Sequence, residues 1–159
     1  MSTHPSRLDY SRQSPELFKK YLDFGMAFKM DEALALLVDI RASQLNGCAF
    51  CLDMHVKQAR IHGERELRLH HVAIWRESPL FTPRERAALA WTEALTRVAP
   101  EGVSDALYAE AREQFSEEDL STLTWRVAAI NGWNRMNVAF RNPPGSKDKM
   151  FGLDKAGLT

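Results

Sequence analysis

The stretch RASQLNGCAFCLDMH, residues 41–55, contains the end of one predicted helix and the beginning of the next. Gly47 is a typical helix stop, because glycine readily adopts the left-handed conformation that follows a last turn. Cys48 then begins a second helix, in which Cys48, Cys51 and His55 stand at positions i, i+3 and i+7. These positions share one helical face, so the sequence predicts two thiols and an imidazole stacked along one line.

Helical signals recur on both sides of this stretch. The strongest is at Thr82, which is followed by Pro83 in the first turn and by Glu85 at the position that closes a capping box. No run of alternating apolar and polar residues is long enough to indicate a strand. Helices are predicted over residues 14–28, 31–45, 48–61, 64–75, 82–98, 104–114 and 116–136. We therefore expect an all-α fold, a single helical domain of about six to seven helices.

The length of 159 residues suits one domain with a core of ordinary size. We expect residues 1–159 to form that domain, with its core at about 7–141. The segment 142–159 is rich in turn-forming residues and has little periodicity. It is predicted to be either a loosely held C-terminal extension or a segment that packs on a neighbouring subunit.

The composition excludes several classes of function. Equal numbers of basic and acidic residues, 21 of each, argue against a general nucleic-acid binder. The most apolar stretch, residues 33–38, is far shorter than a membrane span, and the N-terminus has no apolar segment typical of a signal peptide. Two cysteines are too few for a secreted disulfide scaffold. We therefore expect a cytoplasmic protein that binds neither nucleic acid nor membrane.

The spacing of Cys48 and Cys51 favours redox chemistry. Helical residues three apart have Cα atoms about 5 Å apart, a separation that a disulfide tolerates. The unpaired N–H groups at the start of a helix stabilise a thiolate and lower its pKa. His55, one turn beyond Cys51, is a candidate base or hydrogen-bond partner for a sulfur. Such a site needs no external cofactor.

A zinc site and an inert, buried cysteine pair are the alternatives. Two cysteines and one histidine supply three ligands, whereas structural zinc takes four. His62 is a further candidate ligand, but it lies about two turns beyond His55. The redox interpretation is favoured over both alternatives, and no metal is predicted.

Residues 41–55 resemble the core motif of the alkylhydroperoxidase D-like proteins, within the carboxymuconolactone decarboxylase superfamily. The similarity extends over about residues 7–141. Besides the core motif, the segments that resemble this family are residues 7–10, 75–81, 82–95 and 134–141.

The resemblance implies an all-helical fold, a homo-oligomer (commonly a trimer or hexamer) and a dithiol site that reduces hydroperoxides. Carried over by position, Cys51 matches the peroxidatic cysteine, Cys48 its resolving partner and His55 the histidine of the proton relay. The resulting disulfide would be reduced by a dithiol or lipoyl-type donor.

Two positions depart from the family pattern. The relay glutamate that the family usually has twelve residues before the first cysteine is Leu36 here, and Phe50 stands where the founding enzyme has a histidine. Four nearby carboxylates are each interpreted as solvated or capping residues rather than as replacements: Glu32, Asp39, Glu85 and Glu93.

The predicted function is a thiol-dependent peroxidase or related disulfide oxidoreductase. A lactone decarboxylase, as elsewhere in the superfamily, is one alternative, although that chemistry does not need paired cysteines. A non-enzymatic redox sensor or oligomeric binding protein is another, in which oxidation of Cys48 and Cys51 would alter packing rather than turn over a substrate.

Overall fold

A computed structural model describes residues 5–158, and this range contains helices and turns but no strand. The all-α prediction is confirmed, except that the helix predicted over 64–75 is split into a short α-helix and a 3-10 helix. None of the helices described is long and apolar enough to cross a membrane. The α-helices are α1 (Tyr10–Gln13), α2 (Pro15–Met26), α3 (Glu32–Asn46), α4 (Ala49–Ile61), α5 (Glu66–His71), α6 (Pro83–Thr96), α7 (Asp105–Gln114), α8 (Glu117–Phe140) and α9 (Asp148–Phe151), and the 3-10 helices are Val72–Glu77 and Leu153–Ala156.

Helix α3 is the central element and packs against α4, α6 and α8. Every residue from Leu34 to Ile40 is buried, so α3 is enclosed around most of its circumference. A helix in that position must be apolar on nearly all sides, which explains the apolar stretch at 33–38. On one side Val38 packs with Leu123 of α8, and on another Leu37 packs with Leu89 of α6.

The turn between α3 and α4 places the cysteines. Gly47 has φ = 64°, the left-handed conformation that the sequence predicted. The N–H of Cys48 donates to the carbonyl of Ser43 at 3.0 Å and so closes α3. Cys48 itself has an extended backbone and caps α4, because its Sγ accepts the N–H of Cys51 at 3.2 Å. Both cysteines therefore lie at the start of α4.

The C-terminal segment 142–158 folds back onto α4 of its own chain. The buried Lys57 of α4 donates to Asp53 at 2.8 Å and to Asp148 of α9 at 2.6 Å. Burial opposes the charged form of Lys57, but the two carboxylates outweigh it and raise its pKa. Leu153 is also buried. The expectation of a loosely held extension is therefore wrong for these residues. The side chains that attach the segment, such as Asp148 and Leu153, do not recur at helical spacing, so the sequence pattern gave no sign of the packing.

Alanine substitutions at two glycines should change stability in opposite directions. Gly47→Ala forces an L-residue into the left-handed region and should lower the free energy of unfolding by about 1 kcal/mol. Gly25→Ala, inside α2, should raise the free energy of unfolding by a similar amount, because alanine has a higher helix propensity than glycine. The added Cβ fits without strain, since it would lie 3.8 Å from Trp133 Nε1, an ordinary contact distance. Urea denaturation measures both, and a Gly47→Ala variant as stable as the parent would contradict the capping role of Gly47.

Candidate active site

Cys48 and Cys51 are joined by a disulfide, with their Cα atoms 5.3 Å apart. This separation agrees with the value expected for helical residues three apart. Each cysteine is only 2% exposed. The pair is thus a disulfide at the start of α4 that is shielded from bulk solvent.

A cavity of about 480 Å³ reaches Cys51. It lies between α1 and α2 on one side, α4 and α8 on another, and the C-terminal segment. Both Cys51 and His55 line it, whereas Cys48 is not among the described lining residues. Its walls are mainly apolar, with side chains that include Phe18, Leu22, Phe28, Phe50, Met54 and Trp133. The cavity therefore approaches the disulfide from the side of Cys51.

His55 is oriented by oxygen atoms around its Nδ1. Oε1 of Gln58 lies 2.8 Å from Nδ1, and Oδ2 of Asp39 lies 3.5 Å from it. A carboxylate oxygen accepts hydrogen bonds, so this environment favours the tautomer with the proton on Nδ1. In the neutral ring, Nε2 then keeps its lone pair. His55 is accordingly set up as a proton acceptor through Nε2, one turn from Cys51.

Asp39 is a buried carboxylate, only 1% exposed, and it is held by an arginine of α8. Arg126 Nε donates to Asp39 Oδ1 at 3.0 Å, and its Nη2 donates to Oδ2. Burial disfavours the charged guanidinium, but the Asp39 carboxylate outweighs this and raises the pKa of Arg126. The interpretation of Asp39 as a solvated or capping residue is therefore wrong, because its counter-ion comes from a helix far away in sequence.

The position of the family glutamate faces the apolar core. Leu36 is 5% exposed and belongs to a hydrophobic cluster with Val72 and Leu89. Asp39 lies one turn further along α3 and lines the cavity instead. Asp39 thus brings a carboxylate to the cavity from the turn of α3 that follows Leu36.

The other candidate carboxylates serve other parts of the fold. Glu32 is exposed, and its Oε1 lies 2.9 Å from Nε2 of His62. Glu85 closes the predicted capping box with Thr82. Glu93 was expected to be solvated or capping, which is wrong: Trp75, Arg41 and Arg76 all donate to it. Burial raises the pKa of Glu93, but these donors outweigh it and lower that pKa.

Asn137 of α8 contacts the disulfide directly, a position that was not predicted from the sequence. Its Nδ2 lies 3.5 Å from Cys51 Sγ, and its Oδ1 accepts from Tyr10 Oη at 3.2 Å and from Asn142 Nδ2 at 2.7 Å. A usable signal was present in α8, where residues 126, 130, 133 and 137 recur at helical spacing. Polar residues at both ends of that otherwise apolar stripe indicate a lined cavity.

No group of three or more histidine, cysteine, aspartate or glutamate side chains within residues 5–158 is arranged to hold a metal ion. His62, the further zinc ligand considered from the sequence, pairs with Glu32 instead.

An all-helical chain with a CxxC pair at the start of a helix is of the alkylhydroperoxidase D-like class that the sequence predicted. The chain belongs to the carboxymuconolactone decarboxylase family, whose model matches residues 15–94, a range that contains both cysteines.

Several relatives extend the similarity beyond this range. The uncharacterized protein YdfG of Bacillus subtilis is 38% identical over 144 residues, which are 89% of this chain and 98% of YdfG. A crystal structure is known for an Agrobacterium tumefaciens protein of unknown function, described as a candidate antioxidant defence protein AhpD. Its sequence is 38% identical to this chain and its structure gives a TM-score of 0.85, over 88% of this chain and 98% of its own. The crystal structure of an uncharacterized peroxidase-related protein from Ralstonia eutropha, described as an alkylhydroperoxidase AhpD core, has a TM-score of 0.76 and 22% sequence identity. It covers 86% of this chain and 75% of its own, and it shows the fold alone.

Asp39→Asn keeps the shape of the side chain but leaves Arg126 without its counter-ion. We expect the free energy of unfolding to fall by about 3 kcal/mol, because removing one partner of a buried ion pair leaves an uncompensated charge. The matched control is Asp23→Asn, which removes an exposed i,i+4 partner of Lys19 and should cost less than about 0.5 kcal/mol. Equal losses in urea denaturation would contradict a structural role for the buried pair.

Proposed function

We propose that this protein is a thiol-dependent peroxidase that reduces organic hydroperoxides through a dithiol–disulfide cycle of Cys48 and Cys51. The observation that carries the proposal is the position of Cys51. Cys51 lines a mainly apolar cavity of about 480 Å³, beside a histidine whose Nδ1 lies 2.8 Å from Gln58 Oε1. Membership of the family supports the same chemistry.

In the reduced enzyme, His55 Nε2 takes the proton of the Cys51 thiol. The thiolate attacks the terminal oxygen of the hydroperoxide, so that an S–O bond forms as the O–O bond breaks. The leaving alkoxide takes the proton from His55 and departs as an alcohol, or as water when the substrate is hydrogen peroxide. Cys51 is left as a sulfenic acid, oxidised by two electrons.

Cys48 then resolves the sulfenic acid. Its sulfur attacks Cys51 Sγ, the S–S bond forms and water leaves. The position of Cys48 as the cap of α4 supports this role, because the N–H of Cys51 points at its Sγ and stabilises a thiolate there. A dithiol or lipoyl-type donor returns two electrons by thiol–disulfide exchange and is itself oxidised to a disulfide.

Asp39 and Arg126 take the supporting position that a glutamate has elsewhere in the family. Asp39 lies 3.5 Å from His55 Nδ1 and stabilises the imidazolium that forms when Nε2 accepts a proton. Arg126 donates to that carboxylate and holds it in place. We therefore expect the relay to work without a carboxylate at Leu36.

The cavity favours an organic substrate. Phenyl, indole and thioether groups line it, and the polar side chains of His55 and Asn137 line it together with Cys51. A hydroperoxide with an apolar body and a polar reacting end matches this distribution. Hydrogen peroxide would leave most of the cavity unfilled and should react less efficiently.

We also propose a homo-oligomer, a trimer or hexamer, working in the cytoplasm, where reducing donors regenerate the dithiol. Helix α2 carries large apolar side chains but no buried residue. Leu17, Met26 and, on α8, Trp125 are each more than half exposed in the single chain. Large apolar side chains exposed in the single chain support burial against a second copy.

Steady-state turnover tests the proposed function. Reduced parent protein, Cys51→Ser and Cys48→Ser are mixed with cumene hydroperoxide and dihydrolipoamide, and peroxide loss is followed. We expect turnover in the parent and none in Cys51→Ser. When the donor is left out, so that no external thiol can resolve the sulfenic acid, we expect a single oxidation without cycling in Cys48→Ser.

Equal rates in all three proteins would contradict the dithiol cycle. A parent protein that forms the disulfide once but is not turned over by the donor would instead favour the redox-sensing alternative. An assay with glutathione in place of dihydrolipoamide provides a control for the donor, since a monothiol must form a mixed disulfide first.

A further inference from the structure

Asn137 is buried, 4% exposed, and touches the sulfur on which the proposed chemistry takes place. Its Nδ2 lies 3.5 Å from Cys51 Sγ and 2.9 Å from the carbonyl oxygen of Trp133. The two hydrogens of an amide nitrogen are thus directed to two acceptors, one of them the reactive sulfur.

The orientation of this amide is fixed by its neighbours. The Trp133 carbonyl only accepts hydrogen bonds, so the nitrogen of Asn137 must face it. Oδ1 of Asn137 then accepts from Tyr10 Oη at 3.2 Å and from Asn142 Nδ2 at 2.7 Å. A flipped amide would oppose two carbonyl-type oxygens at Trp133 and lose its donor at the sulfur.

Tyr10 remains a donor over the working pH range. Burial raises the pKa of its hydroxyl, against the opposing effect of the hydrogen bond to Asn137. Its ring packs between Phe18, Trp133 and Phe140, which holds the hydroxyl in place.

We propose that Asn137 is a catalytic residue that donates a hydrogen bond to the Cys51 sulfur and stabilises its thiolate, with Tyr10 and Asn142 as positioning residues. The proposal rests on the proposed function for the use made of that thiolate. A hydrogen bond to an ionised acceptor is stronger than one to a neutral acceptor, so the amide favours thiolate over thiol. The same bond stabilises Cys51 as the leaving thiolate when the disulfide is reduced.

The pH dependence of Cys51 alkylation tests this directly. In a Cys48→Ser background Cys51 is the only thiol of the chain, and its reaction rate with iodoacetamide reports the thiolate fraction. In Asn137→Ala the pH at which the alkylation rate is half-maximal, the midpoint, should rise by about one pH unit. At a pH well below the midpoint, alkylation should then be about tenfold slower. In Asn137→Asp the midpoint should rise further, because a buried carboxylate beside the sulfur disfavours a second negative charge.

The matched control is Asn134→Ala, one turn earlier on α8. Asn134 is fully buried, and its amide hydrogen-bonds to Ser43 and Asn46, whereas the amide of Asn137 donates to Cys51. It should lower stability and leave the midpoint unchanged. Tyr10→Phe keeps the ring but loses one donor to Asn137, so its midpoint should rise by less than that of Asn137→Ala.

Equal midpoints in the Cys48→Ser parent and in Asn137→Ala would overturn the role of Asn137. A midpoint unchanged in Tyr10→Phe would overturn the positioning role of Tyr10. Peroxide consumption by the protein with both cysteines is measured alongside. Its absence would refute the proposed function, whereas the alkylation midpoints decide the role of Asn137 without any peroxide.

Discussion

The buried ion pair between Asp39 of α3 and Arg126 of α8 is the interaction on which the arrangement of the site depends. A carboxylate that is 1% exposed is tolerated in a helical core only with a counter-ion and hydrogen bonds, and Arg126 supplies both. The pair joins the central helix to α8, which carries Asn137. It also brings a negative charge to 3.5 Å from His55. One interaction therefore links the packing of two helices to the orientation of the imidazole beside the dithiol.

The Cys48–Cys51 pair combines protection from solvent with a cavity that reaches it on the side of Cys51. Both cysteines are almost completely buried, yet Cys51 lines the cavity and Cys48 caps α4. The two sulfurs thus have different surroundings, although they are only one turn apart. Cys51 receives a side-chain amide, and Cys48 receives a backbone N–H from the first turn of α4. This difference supports separate roles for the two thiols in the proposed cycle.

The sequence was sufficient for the features that depend on local signals. Gly47 ends α3, Cys48 begins α4, and the capping box at Thr82 begins α6, as predicted, because each rests on residues within one turn. The partners of Asp39 and Cys51 were not predictable in this way. Arg126 lies 87 positions from Asp39, and Asn137 lies 86 positions from Cys51. Only the packing of α8 brings each pair together.

The C-terminal segment illustrates the same limit. Its turn-forming residues gave no periodicity from which to predict packing, and its attachment depends on Asp148 meeting a buried lysine of α4. Such pairing is decided by tertiary structure and cannot be read from either segment alone. The family glutamate is a related case, since its position is apolar here and Asp39, one turn later, carries the charge.

The most direct test of the account is the stoichiometry of a single turnover. Reduced protein, with two free thiols, is mixed with one equivalent of cumene hydroperoxide without a donor, and the thiols are counted and the intact mass measured. The account predicts loss of both thiols and formation of one intramolecular disulfide between Cys48 and Cys51, with one cumyl alcohol released per chain. Retention of both thiols, or a disulfide between two chains, would contradict it.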